Sequence, residues 1–286
     1  VFADIDEYFC LSPKSVEEAS SDKVRGIFIV PLLGNAFDPD LLDIAKYRGW
    51  DVLCDCCEAH GTKLNRRDVG SYGLLNTWST FFSHRLSTIE GGMVGTNDSA
   101  LTDILRGLRT HGWVREMESK EWSERYPNID SRFLFAEFGY NLRPTEITGA
   151  FGIHQVPKLT YFNEHCRQLV DDWATVLEEW KEWLELPSDR PNSRGGFFGF
   201  SMVVKPEAPF SREELTQYLN EKGIDTRPIM AGDLRRHPFM RYRFEHRSVS
   251  TPRTDDVFKR AFFVGLHTGV TTEISAYFME TMRAFL

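Results

Sequence analysis

No run in this 286-residue sequence approaches the ~18 consecutive apolar residues of a membrane-spanning helix. Nor does a basic start lead into an apolar stretch, the mark of a secretory signal. Basic residues are outnumbered: 34 Lys and Arg against 42 Asp and Glu give a net charge of −8. That balance excludes phosphate-backbone binding as the main task, because such binding needs a concentrated basic surface. Repeats and low-complexity tracts are missing too. An initiator Met is absent, and the segment 1–6 opens inside what reads as a strand. The sequence is therefore expected to be a fragment, truncated at its amino terminus.

Cysteine is scarce and odd in number, five in all, and three crowd into Cys54-Asp55-Cys56-Cys57. Neighbours on a strand face opposite sides, so these thiols cannot all pair with one another. Cys10 and Cys166 stand alone. The pattern reads as a reduced, cytoplasmic protein with buried free thiols. Cys54 and Cys57 form a C-x-x-C, but a zinc site needs a second ligand pair and none follows. No metal is expected.

What is present suits a packed globular protein: 41% hydrophobic and 27% charged residues. The length suggests about two domains or one large one. Residues 24–31 read as a buried strand, Asp38-Pro39 as the start of a helix to about Tyr47, and 50–54 as the next strand. That spacing is a βαβ unit and predicts a mostly parallel sheet. Strands are expected near 75–82 and 92–96, and helices over about 99–109, 144–155 and 158–184. The Ser188–Gly196 stretch reads as a linker. Beyond it, a strand at 197–204, a helix at 211–222, a strand at 224–228 and helices at 254–262 and 272–286 suggest a smaller α/β domain.

Three segments carry the chemistry. Asp55-Cys56-Cys57-Glu58-Ala59-His60-Gly61 lies just past a strand's carboxyl end, the edge where open α/β sheets bind ligands; helix capping by Asp55 is the plainer reading. The segment from Ser79 through His84 to Gly91-Gly92 combines hydroxyls, an imidazole and a tight turn, enough to bind an anion and supply an acid or base. A histidine alone in such a loop is usually a surface residue. Phe138-Gly139-Tyr140-Asn141-Leu142-Arg143-Pro144 opens a helix, and capping is the ordinary reading there.

Together, in this order and spacing, the segments resemble the sugar aminotransferase family that includes DegT, DnrJ, EryC1 and StrS. Its strand-then-Asp-x-x-x-Ala-His-Gly run matches Asp55 to Gly61, its Ser-Phe-x-x-x-Lys and Gly-Gly match Ser79 to Gly92, and its Gly-Tyr-Asn-x-Arg matches Gly139 to Arg143. The likeness continues through Asp225-Thr226-Arg227-Pro228 and covers nearly the whole chain. It implies an α/β chain with the type I PLP-dependent aminotransferase fold: a mostly parallel central sheet with helices on both faces, plus a smaller carboxyl-terminal α/β domain. Residues 1–157 would be the remainder of the large cofactor-binding domain, 158–188 a long connecting helix, and 189–286 the small domain.

One position departs from the family. Where the aminotransferases carry the lysine that links to pyridoxal phosphate (PLP), this sequence has His84, and imidazole cannot form that link. The segment looks like the Lys-to-His branch, the nucleotide-sugar 3-dehydratases. Only Cys166 lies beyond His84, so the [2Fe–2S] cluster of one class in this branch cannot be assembled.

By resemblance, Asp55 keeps the pyridine nitrogen protonated, Glu58 contacts the ring hydroxyl, and Ser79 binds the phosphate. Asn141 reaches the phosphate from the neighbouring subunit, implying a homodimer with shared active sites. Arg115 is a candidate for substrate contact, although an exposed arginine is the plainer reading. The implied reaction is C3 deoxygenation of a nucleotide-linked 4-keto-6-deoxyhexose, GDP-linked in preference to CDP-linked. L-Glutamate converts PLP to pyridoxamine phosphate (PMP), and His84 removes a proton and helps expel the C3 hydroxyl as water. The pathway class is dideoxysugar and lipopolysaccharide biosynthesis. Two other readings stay open, an amino-sugar transaminase and a catalytically silent homologue.

Overall fold

The structure, a computed structural model, describes residues 1–285. Two four-stranded sheets organise it. In the first, Gly26–Ile29, Asp51–Asp55 and Leu75–Ser79 run parallel in that order, and Gly92–Gly95 adds antiparallel to the last. The crossover between the first two strands is the helix Asp40–Arg48. The Asp38 carboxylate accepts the Asp40 N–H at 3.0 Å, and Pro39 already has helical dihedrals, so this helix is capped where the sequence places its start. Gly49 ends it at φ 66°, a left-handed conformation that glycine adopts without steric cost.

Leu41 and Ala45 of that helix pack on Ile27, Ile29, Phe37 and Cys54 to form one core. The first strand is half-buried and not enclosed as expected: Ile27 and Ile29 turn inward while Phe28 is 56% exposed. An unbroken apolar run suggests burial on both faces, but the two-residue period commits only one face to this core.

The second sheet is wholly antiparallel, in the order Thr226–Pro228, Ala261–Gly265, Gly199–Val204, Leu184–Glu185. The helices Leu159–Leu177, Arg212–Glu221 and Thr272–Phe285 cover one face, burying Trp173, Leu177, Leu219 and Phe278 against Phe200 and Phe262. Each such side chain contributes roughly 1.5–3 kcal/mol of transfer free energy. Ser211 starts the middle helix with a capping box: its hydroxyl accepts the Glu214 N–H, and Glu214 accepts the Ser211 N–H at 2.7 Å.

Two elements differ from expectation. The helix expected over 254–262 is Pro252–Arg260, and Ala261–Gly265 is a strand, the one between Thr226–Pro228 and Gly199–Val204. Five apolar residues cannot be told from a helix end by periodicity. The connecting helix expected over 158–188 stops at Leu177, followed by a 3₁₀ turn at Glu178–Trp180 and the strand Leu184–Glu185. Leu177, Trp180 and Leu184 stay buried at helical spacing across the break, which hides it in the sequence.

The 188–196 stretch is pinned down. Buried Arg190 pairs with Asp6, and with Asp38 at 2.9 Å, while Ser193–Arg194 pairs with Lys63–Leu64. All five cysteines are free, and Cys10, Cys54, Cys56 and Cys166 are buried. Among the described residues, no helix is long and apolar enough to cross a membrane.

Candidate active site

The three parallel strands end on one edge of the first sheet, and the chain segments leaving them carry the polar groups. After Gly26–Ile29 comes a 3₁₀ turn, Leu32–Gly34, in which Leu33 takes a left-handed φ of 54°. Its N–H points across to Glu58 Oε2 at 2.9 Å. Leaving the second strand, Asp55 Oδ1 accepts the Cys57 N–H at 3.1 Å and the Thr77 hydroxyl at 3.2 Å. Asp55 and Thr77 stand opposite each other in register, so the carboxylate is held by its own turn and by the neighbouring strand. Asp55 therefore sits at the strand end without acting as a helix cap.

Burial pushes the Glu58 carboxyl up to about 7, against the pull of the Leu33 N–H, and the Asp55 charge adds to the rise. Burial likewise pushes up the Cys57 thiol, with Asp55 beside it. These thiols stay protonated and unreactive at neutral pH.

The third strand ends at Ser79, whose hydroxyl accepts the Phe81 N–H at 3.1 Å. The loop beyond is tied back on itself. Thr80 donates its N–H to Gly91 O at 3.0 Å, Thr88 donates to Thr80 O at 2.9 Å, and the two threonine hydroxyls share a 2.6 Å hydrogen bond. His84 stands in this closed loop, with Nδ1 2.8 Å from the Cys57 carbonyl and Phe198 against its ring at 5.4 Å. A carbonyl only accepts, so Nδ1 carries a proton, and in the neutral tautomer of the ring it is Nε2 that has the free lone pair. His84 is only half-buried, and it lines a cleft of ≈ 810 Å³ together with Arg85, Asp225, Arg227 and His267.

The structure thus gathers Asp55, Glu58, Ser79 and His84 at one edge and leaves the other two candidates apart. Asn141 is exposed, bridged to Thr110, and its side chain accepts from Arg143 Nε at 3.1 Å. Arg115 lies over the Trp113 ring at 3.7 Å and near Glu116 at 3.6 Å. No hydrogen bond among the described residues links either one to the other four. Sequence reasoning missed the Leu33 N–H and the Cys57 carbonyl, because backbone groups carry no residue signature.

A family model described as the DegT/DnrJ/EryC1/StrS aminotransferase family matches residues 1–283. The chain belongs to that family. A GDP-4-keto-6-deoxy-D-mannose 3-dehydratase from Yersinia pseudotuberculosis is 34% identical over 274 residues, covering 93% of this chain and 68% of that protein. The solved E. coli GDP-4-keto-6-deoxy-D-mannose 3-dehydratase with bound hydrated PLP has a TM-score of 0.87 and 30% identity, over 98% of this chain and 73% of that one. A further structure of such a dehydratase, with a trapped PLP–glutamate geminal diamine, matches at TM-score 0.87 and 30% identity with the same coverage. The α/β architecture and the mostly parallel first sheet are those of the PLP aminotransferase fold.

The residues of this family member fit PLP. Asp55 offers Oδ2 outside its two internal hydrogen bonds. Glu58 is a half-buried acid whose raised carboxyl stands poised between charge states near neutral pH. Ser79 ends a strand on the same edge, and an imidazole stands where a covalent link would require an amine.

Proposed function

We propose that the chain is a PLP/PMP-dependent 3-dehydratase of a nucleotide-linked 4-keto-6-deoxyhexose, with His84 as the acid/base group. The observation that carries this reading is the His84–Cys57 contact at 2.8 Å, which places a proton on Nδ1 and, in the neutral form of the ring, leaves Nε2 as the acceptor, in a side chain that cannot bind the cofactor covalently. When bound, the cofactor supplies an electron sink that makes the neighbouring C–H acidic and the C3–O bond labile. Asp55 holds the pyridine nitrogen in its protonated form, and Glu58 lies against the ring hydroxyl. Ser79 holds the phosphate.

His84 Nε2 accepts the proton released beside the ring, and the resulting imidazolium returns it to the C3 hydroxyl as that group leaves as water. The Cys57 carbonyl steadies the Nδ1–H through both steps. A lysine in this place would return the proton to carbon and favour amine formation; the imidazole favours dehydration.

L-Glutamate is the amino donor, and a GDP-linked sugar is preferred over a CDP-linked one. The relatives' substrates and the trapped glutamate adduct support both assignments. Arg115 is assigned, more weakly, to substrate contact. The working unit is a homodimer with shared active sites, in which Asn141 serves the neighbouring subunit's phosphate site. An exposed apolar run beside Asn141 supports this: Phe138, Tyr140, Leu142 and Ile147 all face solvent, Phe138 at 98%. Five free thiols support a reducing, cytoplasmic setting. The test is the reaction of the full-length protein with a GDP-4-keto-6-deoxyhexose, PLP and glutamate, comparing the parent with His84→Asn. Deoxygenation by the parent alone supports the reading, and deoxygenation by both defeats it.

A further inference from the structure

Arg85, the residue after His84, is a half-buried cation whose hydrogen-bond partners are all uncharged. Its Nη2 donates to the Gly196 carbonyl at 3.2 Å and to the Phe197 carbonyl. Its Nη1 donates to the Cys166 sulfur and reaches the Phe162 carbonyl at 3.5 Å. Burial keeps that thiol protonated and neutral. A cation drawn out of water without a counter-charge costs free energy that carbonyl dipoles return only in part. An arginine held this way calls for a reason.

The guanidinium joins three elements. Phe162 and Cys166 stand one turn apart on the helix Leu159–Leu177, Gly196 and Phe197 lead into the strand Gly199–Val204, and Arg85 belongs to the closed loop that presents His84. A planar fork grips several carbonyls at once in fixed directions, which a lysine ammonium does not.

The gripped segment is stitched on its other side to the turn after the first strand. Gly196 donates its N–H to Gly34 O at 3.1 Å, and Phe198 donates to Leu33 O at 2.8 Å. Leu33 in turn donates to Glu58. Phe198 lays its ring against His84, centroids 5.4 Å apart, and His84 Nδ1 meets the carbonyl of Cys57, the neighbour of Glu58. These contacts form a closed circuit, and Arg85 braces it from the His84 side.

We propose that Arg85 is a positioning residue for His84. By fastening its own loop to the 196–197 carbonyls, it keeps the Phe198 ring against the imidazole and Nδ1 on the Cys57 carbonyl. The inference rests on His84 being the acid/base group, but its test reads the ring itself. Nitrogen–proton correlation spectra of the histidine-labelled full chain, taken where the ring is neutral, report which nitrogen of His84 bears the proton. His84→Asn assigns the signals by their loss. The parent is expected to show a single Nδ1–H tautomer, and Arg85→Met a mixture of the two.

Arg85→Lys, which keeps the charge and loses the fork, gives the same readout should Arg85→Met not fold. Phe198→Leu removes the ring at the other end of the brace and is expected to mix the tautomers as well. The double variant with Arg85→Lys should be no more mixed than the worse single one, because both act through one contact. A pure Nδ1–H tautomer in folded Arg85 variants overturns the proposal. Arg85 also lines the His84 cleft, so a raised KM for the sugar with an unchanged tautomer would make it a substrate contact instead, and equally overturn it. If the tautomer responds as expected while His84→Asn still deoxygenates the sugar, the functional reading fails and the positioning role stands.

Discussion

His84 Nδ1 lies 2.8 Å from the carbonyl oxygen of Cys57, the second residue after Asp55. The turn that presents the candidate pyridine-nitrogen partner thus also holds the candidate base. Two functions expected of separate segments are tied together by one backbone group. The length of the 55–58 turn then matters as much as its side chains.

Replacing His84 with Asn keeps a side chain of similar reach but removes the titratable nitrogen. Dehydration should fall by roughly 10²- to 10⁴-fold, the range for loss of a positioned acid/base group. Circular dichroism and the thermal midpoint should stay near those of the parent. Product analysis by mass spectrometry checks the first outcome.

His84→Lys restores the amine that the rest of the family uses. The variant should bind PLP covalently, seen as an absorbance band that disappears on borohydride reduction, and the parent should lack that band. An identical spectrum for the two would mean that residue 84 does not face the cofactor.

Glu58 gives a stability prediction with a definite sign. Its carboxyl is raised from 4.5 to about 7 in the folded chain, so the folded state binds the proton more tightly than the unfolded one. The stabilisation is present in full below about pH 4.5 and is lost as pH rises through about 7. Glu58→Gln removes that loss while keeping an acceptor for the Leu33 N–H. In urea titrations of the cofactor-free protein, the variant's advantage should grow between pH 5 and 8 to on the order of 3 kcal/mol. Parallel stability–pH curves would refute the assignment.

Shared sites make a complementation prediction. Asn141→Asp and His84→Asn should each be inactive as homodimers. Mixed dimers carry one site with both lesions and one with neither, so co-refolding should restore about a quarter of the parent activity, the binomial share of good sites expected from closed two-fold symmetry. No recovery would place Asn141 outside the partner's site.

Arg190 tests what ties the 188–196 stretch to the first sheet's core. It is 8% exposed and pairs with Asp6 and Asp38. Arg190→Ala strands two carboxylates and should cost about 3–5 kcal/mol, whereas replacing all three with apolar residues should recover only part of that, because Asp38 also accepts the Asp40 N–H and Asp6 those of Tyr8 and Cys10. Chemical denaturation measures both.

Much of this was legible in the sequence, for identifiable reasons. The strand–helix–strand start, the Asp38 cap and the Ser211 capping box are encoded in local side-chain chemistry, and each stands where that chemistry puts it. Asp55, Glu58, Ser79 and His84 were legible because turn position and residue type together point to one sheet edge. Ala261–Gly265 was not, since a short apolar strand following a helix without Gly or Pro between them has no boundary signal. The early end of Leu159–Leu177 was hidden by burial that keeps helical spacing through an irregular turn. Leu33 N–H and the Cys57 carbonyl act through backbone geometry alone, which only the folded chain displays.

The most direct measurement is mass spectrometry of the sugar nucleotide after incubation of the full-length protein with a GDP-4-keto-6-deoxyhexose, PLP and L-glutamate. The account predicts a product one oxygen lighter, with ammonia released and no nitrogen retained in the sugar. A sugar that has kept its C3 hydroxyl and gained an amine at C4 would contradict it.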